Sequence, residues 1–321
     1  MIKRLIKMLF SLLFIIIGII VIYYFICDLS NTKGNYASDM QLQNQNNLEY
    51  TVYFCPEDDC NIILYNHLSN TNKIDCAVYD ITLNWFYSLM QNKQARIITD
   101  NGNYKEKWEF VKTDNSKDYM HNKFCILDSN ILLIGSTNFT YNALEKQNNN
   151  FIITNNKILI VETQKYFEEL WKGNFNYGYK TKDICFSPSN CMSYYIEETK
   201  KAKKSIKCMF FSFTYNELSK ELIQRQKEGL DIKIIMEKSQ NSQYSEYNNL
   251  NRGCVKVIWD QNPSHMHNKF CILDSNTVIT GSMNPSNNGN FNNNESIIII
   301  NNEEVTKQYE NYFDKYYSMW R

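Results

Sequence analysis

Histidine is scarce in this chain. Only four occur in 321 residues, at positions 67, 121, 265 and 267. Glycine (10) and proline (4) are also few, and 43% of residues are hydrophobic with 14% aromatic, which excludes a low-complexity or disordered chain and requires a folded core. No charge excess of either sign exists, with 34 basic against 34 acidic residues. A protein that holds nucleic acid mainly by electrostatics carries a basic excess, so that mode is disfavoured, though a local basic groove is compatible with a neutral total. The ten cysteines have neither zinc-finger spacing nor a redox C-x-x-C, and no metal-binding cluster is evident.

What is present begins at the N-terminus. Lys3, Arg4 and Lys7 precede a 20-residue uncharged run, 8–27. That length suits a bilayer-spanning helix, exceeds the apolar stretch of a secretory signal, and no small-residue cleavage site follows it. The expected layout is a basic cytoplasmic flank (1–7), a single transmembrane anchor (8–27) and a polar linker (28–49). Everything after the anchor then lies outside the cytoplasm or in a lumen. Such a compartment permits disulfides within the close pairs Cys55/Cys60 and Cys185/Cys191, with free buried thiols as the alternative. Cys76, Cys125, Cys208 and Cys271 fall in apolar strand-like runs and read as core residues.

The remainder is a duplication. The decamer HNKFCILDSN occurs at 121–130 and again at 267–276. Around it, KIDCAVYDIT (73–82) matches SIKCMFFSFT (205–214), and LLIGSTNFT (132–140) matches VITGSMNPS (278–286). Two domains, 50–177 and 178–321, follow, rather than a solenoid. Each reads as strand, helix, strand, helix, strand, loop, a hairpin bearing the decamer, then a strand and a helix. The fold class expected is α/β, with helices on both faces of each sheet.

Within the decamer, alternation along a strand points His121 and Lys123 to one face, and likewise His267 and Lys269. An imidazole beside an ammonium makes a phosphate site: the lysine supplies charge, the histidine attacks phosphorus or moves a proton. Asp128 and Asp274 come at the hairpin turn and are expected to brace the motif. His67 reads as structural, and His265 as a solvated loop residue that could line the site.

The pattern HxKxxxxD followed by GSxN resembles the phospholipase D superfamily. It occurs as His121, Lys123, Asp128 with Ser136 and Asn138, and as His267, Lys269, Asp274 with Ser282 and Asn284; each GSxN Asn lies 17 residues after its His. The resemblance covers about residues 50–321, and each half is as short as the family's endonuclease-type unit. It implies two tandem α/β/α sandwich domains related by a pseudo-twofold axis, with both motifs in one active site. It implies the motif residues as catalytic, a covalent phosphohistidine, no cofactor or metal, and no obligate protein partner, because both half-sites are in one chain. Short family members use a Glu to orient a catalytic His. Glu295, 28 residues after His267, resembles it; the equivalent position in the first half is Asn149. A carboxylate beside imidazole favours the charged form, so Glu295 is expected to make His267 the proton-donating general acid and base, and Asn149 to leave His121 the neutral, attacking nucleophile.

The substrate stays open at this level. The family takes phospholipid and nucleic-acid diesters and also transfers phosphatidyl groups; degenerate members serve as non-catalytic scaffolds. The anchor and neutral charge lean towards lipid hydrolysis at a membrane. Loop aromatics Trp108, Tyr244 and Tyr247 could stack bases, sit at a lipid interface or simply pack. The lysine-rich 200–207 reads as a solvated helix end.

Overall fold

Short runs of β-branched and aromatic residues, buried on both faces, form the strands. Examples are KFCIL in both decamers and SIIIIN near the C-terminus. The computed structural model describes residues 49–115 and 117–321; the expected anchor at 8–27 lies outside the described residues. Among the described residues no helix is long and apolar enough to cross a membrane.

The first sheet contains β1 (Tyr50–Cys55), β2 (Lys73–Val78), β3 (Gln94–Thr99), β4 (Val111–Thr113), β5 (Lys123–Leu127), β6 (Ile131–Gly135) and β7 (Asn149–Thr154), in the order β1-β7-β6-β5-β2-β3-β4. The second contains β8 (Tyr179–Lys180), β9 (Ile184–Phe186), β10 (Ser205–Phe210), β11 (Asp231–Met236), β12 (Lys256–Trp259), β13 (Lys269–Leu273), β14 (Thr277–Gly281) and β15 (Ser296–Asn301). Its order, β12-β11-β10-β13-β14-β15-β9-β8, repeats the first with one added edge strand. The parallel neighbours β2–β3 and β10–β11 are each joined through a helix, α2 (Phe86–Met90) and α6 (Asn216–Lys227).

Helices α1 (Cys60–Ser69), α2 and α3 (Tyr141–Glu145) belong to the first half. Helices α5 (Met192–Lys201), α6, α7 (Tyr247–Arg252) and α8 (Asn287–Phe291) belong to the second. The two remaining helices, α4 (Lys157–Trp171) and α9 (Glu303–Trp320), supply Tyr166 and Phe167, and Tyr309 and Phe313, to one core that also takes Phe54 and Phe124 from the first sheet and Phe270 from the second. The halves are therefore continuous through their largest apolar cluster, and residues 49–321 form one compact unit.

The decamer forms the expected hairpin. Asp128 and Ser129, and equally Asp274 and Ser275, have positive φ (48°, 59°, 52° and 58°), and Asn130 N donates to Leu127 O (3.0 Å) as Asn276 N does to Leu273 O (3.2 Å), which closes each tight turn. The Asp128 carboxylate accepts from the backbone N–H of Lys73 (2.7 Å) and Asn72 (3.1 Å); Asp274 accepts from Lys203, Lys204 (both 2.6 Å) and Ser205 (3.0 Å). Each aspartate thus pins its hairpin to the start of the neighbouring strand.

The cysteines correct part of the sequence reading. Cys55–Cys60 and Cys185–Cys191 are disulfides, and so are Cys76–Cys125 and Cys208–Cys271, which had read as simple core residues. The last two bridge directly opposed residues of β2/β5 and β10/β13. Antiparallel register brings their Cα atoms to 4.1 Å, a proximity that sequence separations of 49 and 63 conceal. Cys254 is free and exposed.

Candidate active site

His121 and His267 immediately precede β5 and β13, and the local backbone there pairs with the opposite half. His121 N donates to Asn294 O (2.9 Å), and His267 N to Asn148 O (2.8 Å). Each motif is thereby stitched to the loop entering the other half's last strand, which brings the two histidines to one site across the pseudo-twofold axis.

The orienting residues cross over. Both Glu295 oxygens lie 2.8 Å from His121 Nδ1, and Asn149 Oδ1 lies 2.9 Å from His267 Nδ1. This corrects the within-half pairing expected from sequence. β7 and β15 each run beside their own hairpin, but Asn149, which opens β7, and Glu295, just before β15, reach past it to the facing half. The GSxN serines complete each relay: Ser282 Oγ donates to Glu295 Oε2 (2.6 Å), and Ser136 Oγ to Asn149 Oδ1 (2.9 Å). Asn149 Nδ2 donates to Ala143 O (3.1 Å), which fixes the amide with its oxygen towards His267. Both imidazoles therefore carry hydrogen on Nδ1 and keep Nε2 as the reactive nitrogen.

The motif glycines follow from the same crowding. A Cβ on Gly135 would meet Asn150 O at 2.2 Å, and one on Gly281 would meet Ser296 O at 2.1 Å. Ser136 and Ser282 are fully buried, so they position the relay and do not reach substrate. Asn284 Oδ1 accepts from Ser212 N (3.3 Å), and Asn138 Oδ1 is buried without a protein partner. Asp128 and Asp274, grouped with the catalytic residues by the motif, sit at the far end of β5 and β13 from His121 and His267, so they act on the hairpin and not on the reacting atoms.

Lys123 and Lys269 are buried, each donating Nζ to the carbonyl of its own histidine (2.7 and 2.6 Å). Burial pushes Lys123 down to about 7 and Lys269 well below its ordinary value. Burial also lowers His121 to about 4, against the pull of Glu295. His267 is lowered well below the ordinary imidazole value by burial, reinforced by Lys269 and Lys123. Two buried lysines and two buried imidazoles against the single carboxylate of Glu295 make this a site suited to an anion.

Residues beyond the motifs complete the walls. Tyr79 packs edge-on against His121 (centroids 4.8 Å), with Lys123 Nζ 5.2 Å from its ring; Phe211 does the same for His267 (4.7 Å) and Lys269 (5.0 Å). Their equivalence in the aligned segments 73–82 and 205–214 was the available signal. Next to them lie Tyr119, against Tyr79, and His265, against Phe211. His265 is no plain solvated loop residue: its Nδ1 lies 3.2 Å from buried Glu237, and its φ is 95°. Of the loop aromatics, Trp108 packs on Phe110 and Tyr247 stacks on Trp259 at 3.9 Å, while Tyr244 stays 70% exposed. The 200–207 lysines lie where α5 meets β10, at the sheet end holding the Asp274 turn and away from His267.

Comparison with known proteins agrees with this geometry. The family model described as "Cardiolipin synthase, PLD-like domain" matches residues 41–171 and 195–317. A phospholipase D of Rickettsia typhi is 29% identical over 134 residues, 41% of this chain and 66% of that one. A mitochondrial cardiolipin hydrolase of Xenopus laevis is 34% identical over 89 residues, 25% of this chain and 42% of that one. These matches therefore span less than two thirds of each relative. The solved phosphatidylserine synthase of Haemophilus influenzae shares the fold at TM-score 0.63 and 10% identity, over 86% of this chain and 90% of that one. With both halves matched by the family model, the chain belongs to the phospholipase D-like family.

Proposed function

We propose that this protein is a membrane-anchored phosphodiesterase that hydrolyses phospholipids through a covalent phosphohistidine. The observation carrying this reading is the meeting of two complete His–Lys half-sites whose imidazoles are held by partners from opposite halves. His121 Nε2 attacks phosphorus, the bond to the leaving oxygen breaks, and His267 Nε2–H gives that oxygen its proton. His267 then takes a proton from water, whose oxygen displaces His121 from phosphorus.

The crossed pairing changes the ground for this assignment. By the resting-state argument alone, a carboxylate on His121 would make it the more readily protonated ring. But an Nε2-phosphorylated imidazole that keeps its Nδ1 proton is cationic and cannot discharge, and Glu295 stabilises that cation as it forms. A neutral amide leaves protonated His267 a strong acid, suited to a poor leaving group. Lys123 and Lys269 hold the non-bridging oxygens.

Four disulfides support a non-cytoplasmic domain, in keeping with the orientation expected for an anchor at 8–27. Tethering there raises the local concentration of bilayer diesters, and neutral net charge favours lipid over nucleic acid.

The test uses full-length protein in liposomes with EDTA present. Headgroup release from phospholipid that falls by about 10⁴-fold in both His121→Ala and His267→Ala is expected. With ³²P-labelled substrate and an alkaline denaturing quench, in which a P–N bond survives, label stays on His267→Ala and not on His121→Ala; the reverse reverses the roles. Cleavage of single-stranded DNA or RNA with lipids intact makes the protein a tethered nuclease. Phosphatidyl transfer to added alcohol without hydrolysis makes it a transferase, and inertness towards every diester leaves a scaffold.

A further inference from the structure

Both histidines lie at one end of the two sheets. β5 and β13 start at that end, and β2, β6, β10, β11 and β14 finish there. Large apolar side chains that stay exposed gather on the segments at this end. Tyr119 precedes His121, Tyr141 opens α3 after β6, Tyr244 follows β11, and Phe291 closes α8 after β14. Met319 joins them from the last turn of α9, which is held here by Gln261 Nε2 donating to Trp320 O (2.9 Å) and Tyr316 Oη donating to Glu57 Oε1 (2.6 Å). All five are 51–70% exposed. Contacts tie two of these segments to the histidine loops. Asn293 Oδ1 accepts from Tyr119 N (3.3 Å) and its Nδ2 donates to Glu295 (3.4 Å), so Phe291 lies two residues from a contact that also holds Tyr119. Asn262 Nδ2 donates to Lys146 O (3.1 Å), which joins α3 and its Tyr141 to the loop entering β13.

The remaining exposed large apolar side chains of the described residues are spread elsewhere: Ile158 and Val161 at the opposite end, on α4, and Ile62 and Tyr65 on the flank, on α1. The five at the catalytic end stand on separate segments from both halves and line no common groove, so an occupant that reaches all of them is flat and extended. Three are tyrosines, whose rings bury while the hydroxyl stays wet, which is the chemistry of a bilayer's interfacial layer. Exposed charges on the same end are mixed, Lys105 and Lys107 beside Glu106 and Glu109, so attraction to this surface is mainly apolar. The chain before β1 permits the contact. β1 starts at the opposite end, beside the finish of β7. The linker 28–49 spans at most about 75 Å, against about 20 Å for a strand the length of β1. The catalytic end can therefore turn towards the bilayer that holds the anchor proposed for 8–27.

We propose that this end of the protein is a membrane-docking face. Tyr119, Tyr141, Tyr244, Phe291 and Met319 enter the headgroup layer and set the His121/His267 site at the level of the lipid phosphates. This rests on the phospholipase reading above and names the surface through which that site meets a bilayer.

The first experiment uses residues 49–321, a compact unit that contains all three apolar cores and all four disulfides, so that binding is read without the anchor. Co-sedimentation with phosphatidylcholine vesicles should show binding that persists at about 0.5 M NaCl, where surface charge is screened. Tyr141→Ser/Tyr244→Ser/Phe291→Ser should weaken that binding by about tenfold or more, with the unfolding transition in place. If the triple variant unfolds early, Tyr244→Ser alone is read, with about a threefold loss expected. In full-length protein the triple variant should lose about fivefold or more of its rate on phospholipid in vesicles, while hydrolysis of soluble bis(p-nitrophenyl) phosphate stays within about twofold. Wild-type protein that ignores vesicles, binding abolished by salt, or binding unchanged in the variants overturns the docking face. So does a dimer of 49–321 that ignores vesicles and that the triple variant makes monomeric, which gives the patch to a second copy. The hydrolase reading fails separately: protein that turns over no diester but binds vesicles through these residues keeps the docking face and loses the reaction.

Discussion

The two halves share strand order, hairpin turn, aspartate brace, cross-strand disulfide and serine relay. They differ around the two histidines: Glu295 against Asn149, Phe211 against Tyr79, and His265 against Tyr119. The shared features hold the backbone; these differences touch the histidines or pack on the rings that do. The frame recurs in both halves, whereas the partners held against the two histidines are a carboxylate on one side and an amide on the other.

If shared features carry stability, removing them should cost folding and spare the division of roles. The cross-strand disulfides Cys76–Cys125 and Cys208–Cys271 close loops spanning 49 and 63 positions, and the short pairs close 5 and 6. Chain entropy makes each long-loop bridge worth about 4 kcal/mol and each short one about 2. Denaturant unfolding of Cys76→Ala/Cys125→Ala should therefore lose more than Cys55→Ala/Cys60→Ala; equal losses would detach the strand bridges from the stability of the frame.

The unshared carboxylate should act on chemistry. Glu295→Gln makes the two relays alike, and kcat should fall by about 10²–10³-fold. Glu295 opposes the burial that holds His121 at about 4, so its loss lowers His121 further. Under the proposed attack by His121 that ring must be neutral, and the acidic limb of kcat/KM should accordingly move to lower pH. A move to higher pH would show that the carboxylate is not what sustains His121 basicity.

The smallest effect belongs to the brace. Asp274→Asn weakens three charge-assisted bonds to backbone N–H groups and should cost about 1–3 kcal/mol of stability. Because Asp274 lies at the far end of β13 from His267, kcat measured well below the unfolding temperature should stay near wild type. A large kcat loss with unchanged stability would move Asp274 from brace to reaction.

Much of this was legible beforehand because the repeat is strong. Two ten-residue identities with equally spaced GSxN tracts fixed the hairpins, the His–Lys pairs and the order of elements. Periodicity and turn residues sufficed for that, since both are local. The crossed relay was not legible, because counting 28 residues from His267 to Glu295 finds the equivalent position in a repeat and says nothing of which histidine it faces. The strand disulfides escaped for a related reason: β2 and β5 meet through register, and only the recurrence of Cys76 and Cys125 as Cys208 and Cys271 hinted at it. The short strands β4 and β12 and the short helix α3 have too few residues to show a period.

The crossed relay also bears on why the halves are joined. In a dimer of two identical short chains, whatever residue orients one histidine must orient the other, because one gene writes both. A carboxylate on one side and an amide on the other is unattainable there. Fusion into a single chain frees the two copies to mutate separately, so covalent linkage here makes two unlike histidine environments heritable.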